Sequence, residues 1–215
     1  YSICTKLKQV ETALSVLSQH PYVVLDCEGK TIGRVDGALS LICLGTPVPG
    51  PDQHIYLFDI PTIRHSTAAT QAVVSFLSRT DIIKVVWDGK MDAIEIYHTL
   101  GMELKRVLDL QVVEVIARQT VLEEGEEERI QRLGPHFGQP VELHPDIFEG
   151  IHAVLGMQTC LETYLPHLNV QKDNAVSQIH RRGHSHLWMR RPVPFVLAHY
   201  AAADIRFIAY ILERF

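Results

Sequence analysis

Cysteine is scarce and scattered in this chain: Cys4, Cys27, Cys43 and Cys160 are the only four in 215 residues, and no two form a CxxC pair. That excludes a thiolate zinc finger or a disulfide-cycling motif and predicts four reduced core side chains, as in an intracellular protein of nucleus or cytoplasm. No apolar run comes near the ~20 residues of a membrane-spanning helix. The opening YSICTKLKQVETALSVL lacks the charged start and small-residue cleavage site of a signal peptide, so no membrane association is expected. No internal repeat is present, and the Glu-rich run in EEGEEERIQR is the only biased segment. Positive charge is not in excess either. A net charge of −5 argues against a protein that coats nucleic acid nonspecifically, while leaving room for one that grips a few phosphates.

What is present is a 47% hydrophobic fraction, enough at this length for the core of one α/β domain spanning 1–215. KLKQVETALSVLSQ has apolar residues at helical spacing and leads into YVVLDCE, an apolar, β-branched run that reads as a buried strand. ALSLICLG and HIYLFDI are further strands, separated by TPVPGPDQ, which is too rich in Pro and Gly to pair. Three strands with short links predict an antiparallel meander. Helices then alternate with strands: TAATQAVVSFLSR, the strand IIKVVW, DGKMDAIEIYHTLG ending at Gly101, and RVLDLQVVEVIA passing from strand to helix. Residues 121–149 read as an irregular acidic excursion, its carboxylates a solvated face or, alternatively, a partner-binding one. MQTCLETYLPHL reads as a helix, 172–191 as polar and irregular, and a last helix begins near Pro194.

Five side chains in three places carry the chemistry. Asp26 and Glu28 in LDCEG stand two apart in a strand, so both carboxylates leave one face and Cys27 the other. Tyr200 and Asp204 in HYAAAD are spaced i, i+4 on an Ala-rich helix and project side by side. Asp92 in WDGKMD opens another helix. Hard cations such as Mg²⁺ or Mn²⁺ favour carboxylate oxygens, and phosphodiester displacement gains most from two of them about 3.5–4 Å apart. Without metal, clustered carboxylates raise one another's pKa and resist ionising together. Each motif alone also fits an ordinary strand-end acid or a solvated helix residue; the three together point to a two-metal nuclease. From Gln178 through Arg191 the chain has no acid and carries Arg181, Arg182, Arg190 and Arg191. Arg181 and Arg182 suit phosphate, and Trp188 suits stacking on a base; the alternative packs Trp188 beneath the last helix and uses Arg191 to fix the loop. His180, His184 and His186 lack the thiolate partners of a finger-type zinc site.

These motifs resemble the RNase D-like branch of the DEDD superfamily of 3′–5′ exonucleases, the subgroup with a tyrosine in its last motif, and within it the Egalitarian-type group. The likeness covers almost the whole chain. DCE is similar to the first motif's Asp-x-Glu, KVVWDGKMDAIEIYHTLG to the second, and VLDLQV to the segment after it, whose Asp109 the resemblance makes structural. WMRRPVPFVLAHYAAADIRFIAYILE is similar to the third, with Trp188, Arg191, Pro192, Tyr200 and Asp204 in register, and is the most specific match.

The resemblance implies a ribonuclease H-like fold: a mixed five-stranded sheet, its first three strands antiparallel, with helices on both faces. It also implies a metal-dependent exonuclease releasing nucleoside monophosphates from single-stranded 3′ ends, of RNA rather than DNA. Two divalent cations would be held by Asp26, Glu28 and Asp204, with Asp92 completing the second ion's shell and Tyr200 orienting the attacking water. The chain departs from many relatives in having Trp87 and Asp88 where they carry His and a small residue; Asp88 caps the helix or adds an acid to the site. These 215 residues do not contain the nucleic-acid-binding helical domain or the helicase of some relatives, and the expectation is that a protein partner in RNA metabolism supplies substrate. Some Egalitarian-type relatives have lost catalytic acids, so the alternative is a non-catalytic RNA-binding adaptor in an RNA-silencing or RNA-localisation complex. A small-molecule phosphohydrolase fits the Tyr200 and Asp204 pairing less well.

Overall fold

In a computed structural model, described at residues 1–168, 176, 179 and 183–215, the first helix is α1 (Leu7–Leu17). Its Val10, Ala13, Leu14 and Leu17 share one buried face, as their spacing dictates. Among the described residues six strands form one mixed sheet: β1 (Ser2–Cys4), β2 (Tyr22–Lys30), β3 (Ala38–Gly45), β4 (Ile55–Asp59), β5 (Ile83–Val86) and β6 (Val107–Asp109), in the order β1-β4-β3-β2-β5-β6. β2, β3 and β4 make the antiparallel meander. β5 and β6 add in parallel beyond β2, each reached through a helix. The expected five strands become six because β1 pairs in parallel with β4. Three residues are too few to show an alternation, and here tertiary pairing alone makes the strand.

Helices cover both faces. On one, α1 and α3 (Thr67–Leu77), which follows the short α2 (Ile60–Ile63), pack on Val23, Leu25, Cys27, Ile42 and Leu44. On the other, α8 (Met157–Tyr164) and α9 (Phe195–Arg214) pack on Val24, Leu41, Cys43 and Val85. β2 therefore alternates between the two cores, and the period of two carries its second series from Val24 on through Asp26 and Glu28, beneath α9.

α9 reaches the sheet closely because its inner face is partly alanine, with Ala198, Ala201, Ala202 and Ala209 all buried. Gly45 of β3 completes the approach, since a β-carbon there would run into Ile205 Cγ2. Burial of Ile205, Ile208 and Ile211 contributes roughly 1.5–3 kcal/mol each. Contrary to the expectation that no apolar run is long enough, the helix has the length and mean hydropathy, 1.4, to cross a membrane; 56% of that window is buried within the fold.

Residues 121–149 are not irregular. They contain α6 (Glu126–Phe137) and α7 (Gln139–Leu143), preceded by α4 (Lys90–Leu100) and α5 (Leu110–Thr120) along the chain. Glu126, Glu127 and Glu128 occupy the first turn of α6, where carboxylates favour the helix dipole, and Arg129 and Leu133 are its buried pair. Buried arginines brace α5, α6 and the chain that follows them. Arg118 Nε lies 2.9 Å from Glu114 Oε1 while its NH2 donates to Ala153 O at 2.6 Å. Arg129 NH1 donates to Phe148 O and Ile151 O, each at 2.6 Å. In the second stretch expected to be irregular, Ser185–Met189 form a 3₁₀ turn.

Candidate active site

Asp26 and Glu28 stand opposite Cys43 and Leu41 of β3, near the middle of the sheet, where α9 crosses it. Asp204 comes down from the buried side of α9, so three carboxylates converge although two of them, Glu28 at 6% and Asp204 at 5%, are almost closed off from solvent. One oxygen from each of Asp26, Glu28 and Asp204 lies within 4.8 Å of the others. Such a cluster is costly alone. Its cost is offset if a hard divalent cation sits among them, for oxygens this far apart are both within reach of an ion that binds at about 2.0–2.6 Å. The donor set, all carboxylate oxygen, fits Mg²⁺ or Mn²⁺ and not a soft metal. Cys43 lies beneath: burial first, then the charges of Asp26, Glu28, Asp204 and Asp92, push its thiol well above the ordinary range.

Tyr200 sits one turn before Asp204 and hydrogen-bonds it. Burial, and then the charges of Asp204, Glu28 and Asp26, hold the phenol well above its ordinary pKa, so it stays protonated. Asp92 is half-buried in the first turn of α4, and its Oδ1 accepts from Cys27 N at 2.8 Å. It therefore stands beside the three-acid group and lines the same cavity of about 470 Å³ with Asp26, Glu28, Arg34 and Ser185. Burial raises its pKa to about 6, against the lowering effect of the bonds to Cys27, with the Asp88 charge adding to the rise.

The family model described as 3′-5′ exonuclease matches residues 1–215. The chain belongs to the 3′–5′ exonuclease family. In overall fold it is similar to Trypanosoma brucei RNase D solved as a GMP complex, with a TM-score of 0.72 and 21% identity over 100% of this chain and 57% of that one. The same enzyme in complex with RNA U12 gives 0.67 and 22%, over 100% and 62%. The Aedes aegypti Nibbler EXO domain gives 0.64 and 15%, over 99% of this chain and 86% of that one. The chain thus spans under two thirds of the length of those RNase D chains. Among curated proteins none matches the chain.

Around this exonuclease-family centre the expected Asp88 cap and the base-stacking role of Trp188 are not found, whereas Trp188 beneath the last helix, Arg191 fixing the loop and a structural Asp109 are. Asp88 does not cap α4, whose N-cap is Gly89 with no side-chain bond. Asp109 at the end of β6 takes over: its carboxylate accepts from Asp88 N (2.9 Å), Gly89 N (3.1 Å) and Gln111 N (3.0 Å), joining the starts of α4 and α5. Asp88 is left exposed with φ +50°, its charge felt at Asp92. Trp188 is fully buried, its ring centroid 6.4 Å from that of Tyr200, so the ring is closed to a base and packs beneath α9 instead. Arg191 fixes the preceding loop, with Nε 2.8 Å from the Asp59 carboxylate and NH1 donating to Trp188 O at 2.9 Å. Arg181 and Arg182 lie outside the described residues.

One residue of the cavity wall and the residue that supports it carry no signal in the sequence. Arg34 lines the cavity, and buried Glu95 anchors the loop that carries it. GKTIGRVDG showed only as a turn, and the partner of that turn lies about sixty residues further on.

Proposed function

We propose that the span 1–215 acts as one metal-dependent exonuclease domain that hydrolyses single-stranded nucleic acid from its 3′ end, RNA in preference to DNA. The observation that carries this reading is the convergence of Asp26, Glu28 and Asp204 within 4.8 Å. Membership of the 3′–5′ exonuclease family supports the direction of attack, and the fold shared with an RNase D solved with GMP and with RNA U12 supports the substrate class.

Two divalent cations, Mg²⁺ or Mn²⁺, are assigned to Asp26, Glu28 and Asp204, with Asp92 at the edge of the set. When bound, such ions make a water nucleophilic near neutral pH and neutralise charge on the attacking and leaving oxygens. The chain's own groups do the positioning. Tyr200, kept protonated, is a hydrogen-bond donor rather than a base, and its bond to Asp204 aims the phenol at the acid cluster, where it orients the attacking water. The sheet and α9 close the far side of the cluster from solvent. Nucleoside monophosphates are the products, and a protein partner in RNA metabolism presents the strand.

The test is incubation of 3′-labelled and 3′-blocked RNA and DNA oligonucleotides with the protein in Mg²⁺ or Mn²⁺. Stepwise loss of nucleotides from free 3′ ends is expected, faster on RNA, and reduced by two to three orders of magnitude in Asp26→Asn and Asp204→Asn. Cleavage that survives in both variants overturns the assignment. RNA binding with no cleavage in any metal replaces it with a non-catalytic adaptor.

A further inference from the structure

Nucleic acid is a polyanion, and the cavity proposed to receive it is lined by Asp26, Glu28 and Asp92, with Asp204 beside them. Metal answers the scissile phosphate. It does not answer the neighbouring phosphate that must come to the mouth of the same acidic cavity. Among the described residues that line it, Arg34 is the one cation. Its side chain is exposed and makes no ion pair with a carboxylate among the described residues. Guanidinium presents a planar fork of donors matched to a phosphate's non-bridging oxygens.

The loop carrying Arg34 is built rather than slack. Arg34 N donates to Thr31 O at 3.1 Å and Gly37 N to Arg34 O at 2.9 Å, so two consecutive turns bracket the residue. Thr31 Oγ1 donates to Asp36 O at 3.2 Å, and Lys30 Nζ lies 3.5 Å from Asp36 Oδ2 across the base of the loop. The loop is then tied to α4. Glu95 is only 2% exposed; its Oε2 accepts from Gly33 N at 3.0 Å and its Oε1 from Thr99 Oγ1 at 3.1 Å. Gly33 has φ +73°, a left-handed conformation that suits glycine, and any β-carbon on Gly37 would run into Glu95 Oε2. A carboxylate is expensive to bury, and this one is held by a backbone amide of the loop and a hydroxyl of its own helix. Its position three residues after Asp92 on α4 links the Arg34 loop to the helix that also lines the cavity.

We propose that Arg34 holds a backbone phosphate adjoining the scissile one at the mouth of the acidic cavity, and that Glu95 is the positioning residue that sets it there through Gly33. This rests on the exonuclease reading for its substrate class, but binding can be read without turnover. Affinity for a 3′-fluorescein-free, 5′-labelled U-rich RNA oligonucleotide is measured by anisotropy in Ca²⁺ across a salt series, and steady-state cleavage in Mg²⁺ or Mn²⁺.

For Arg34→Ala a roughly tenfold or greater loss of affinity is expected, appearing as a raised KM more than a lowered kcat. The salt dependence of log K should flatten by about 0.7, the value for one phosphate contact on a single strand. Arg34→Lys restores the salt slope but only part of the affinity, since a point charge lacks the fork. Glu95→Gln keeps an acceptor for Gly33 N and is expected to stay near wild type, whereas Glu95→Ala reproduces the Arg34→Ala salt slope. An unchanged affinity and slope in Arg34→Ala overturns the inference even where the wild type cleaves well. If the wild type binds but does not cleave, the exonuclease reading fails while the slope still decides Arg34. If it neither binds nor cleaves, both fall.

Discussion

Tyr200 combines two properties that set its chemistry: its hydroxyl bonds Asp204, and burial with the surrounding acids keeps it protonated. It can donate at neutral pH and cannot serve as a base there. Tyr200→Phe removes the donor while leaving the ring that packs against Trp188. The expected result is a fall in kcat of about a hundredfold, with Mn²⁺ affinity by calorimetry little changed, because no carboxylate is lost. A proportional loss of Mn²⁺ binding would instead make the phenol part of the metal site. Side chains like this one were legible in the sequence because their geometry is local. Two residues along a strand put Asp26 and Glu28 on one face, and four along a helix put Tyr200 beside Asp204. Asp88 misled for the opposite reason: capping by Asp is a sound local rule, but Asp109 reaches back to the same amides from 20 and 21 residues away. Glu95 was hidden likewise, since its target Gly33 is 62 residues distant.

At the scale of elements, strands and helices long enough to show a period were readable and those shaped by tertiary contacts were not. The meander and the alternation through α3, α4 and α5 follow from apolar patterning and from stops such as Gly101, at φ +67°. β1 exists because β4 offers it an edge. α6 was obscured by its Glu-rich start and by Pro135, while Arg129 and Leu133, one turn apart, were its muted inward face. The element that decides the site is α9, which brings two of the five site residues to the sheet. Its height above β3 is limited by Gly45 against Ile205, the residue next to Asp204. Gly45→Ala must push that contact apart. A loss of about 1–3 kcal/mol in urea unfolding is expected, as for other overpacked cores. Because Asp204 rides on the displaced helix, Mn²⁺ affinity should fall even at temperatures where the variant is fully folded. Retention of wild-type affinity would show that α9 accommodates the methyl without moving its acid.

For the molecule as a whole, one group that couples stability to pH is Lys84, in the centre of β5 and 0% exposed. Its Nζ donates to Arg79 O at 2.6 Å and Ile82 O at 3.0 Å, which satisfies two protons with carbonyls. Burial nevertheless lowers its pKa from 10.5 to about 8, with Arg106 and Arg79 adding to the fall and Asp81 opposing it. The sign follows from proton counting. Between about pH 8 and 10.5 the unfolded chain keeps the proton and the folded chain has released it, so the unfolded state binds more protons and stability rises with pH. Below pH 8 both states are charged and the full desolvation cost stands, of the order of 3 kcal/mol. Lys84→Met removes that cost but deprives two carbonyls of their donor, at about 1–3 kcal/mol each, so near pH 7 the two changes largely cancel. The pH slope has no such compensation. Urea unfolding at pH 7 and at pH 10 should therefore show the wild type gaining on Lys84→Met by about 2–3 kcal/mol as pH rises, since other groups titrate alike in both chains. A difference that stays constant across the window would place the Lys84 ammonium in an environment as favourable as water, and the two carbonyls would then account for its charge entirely.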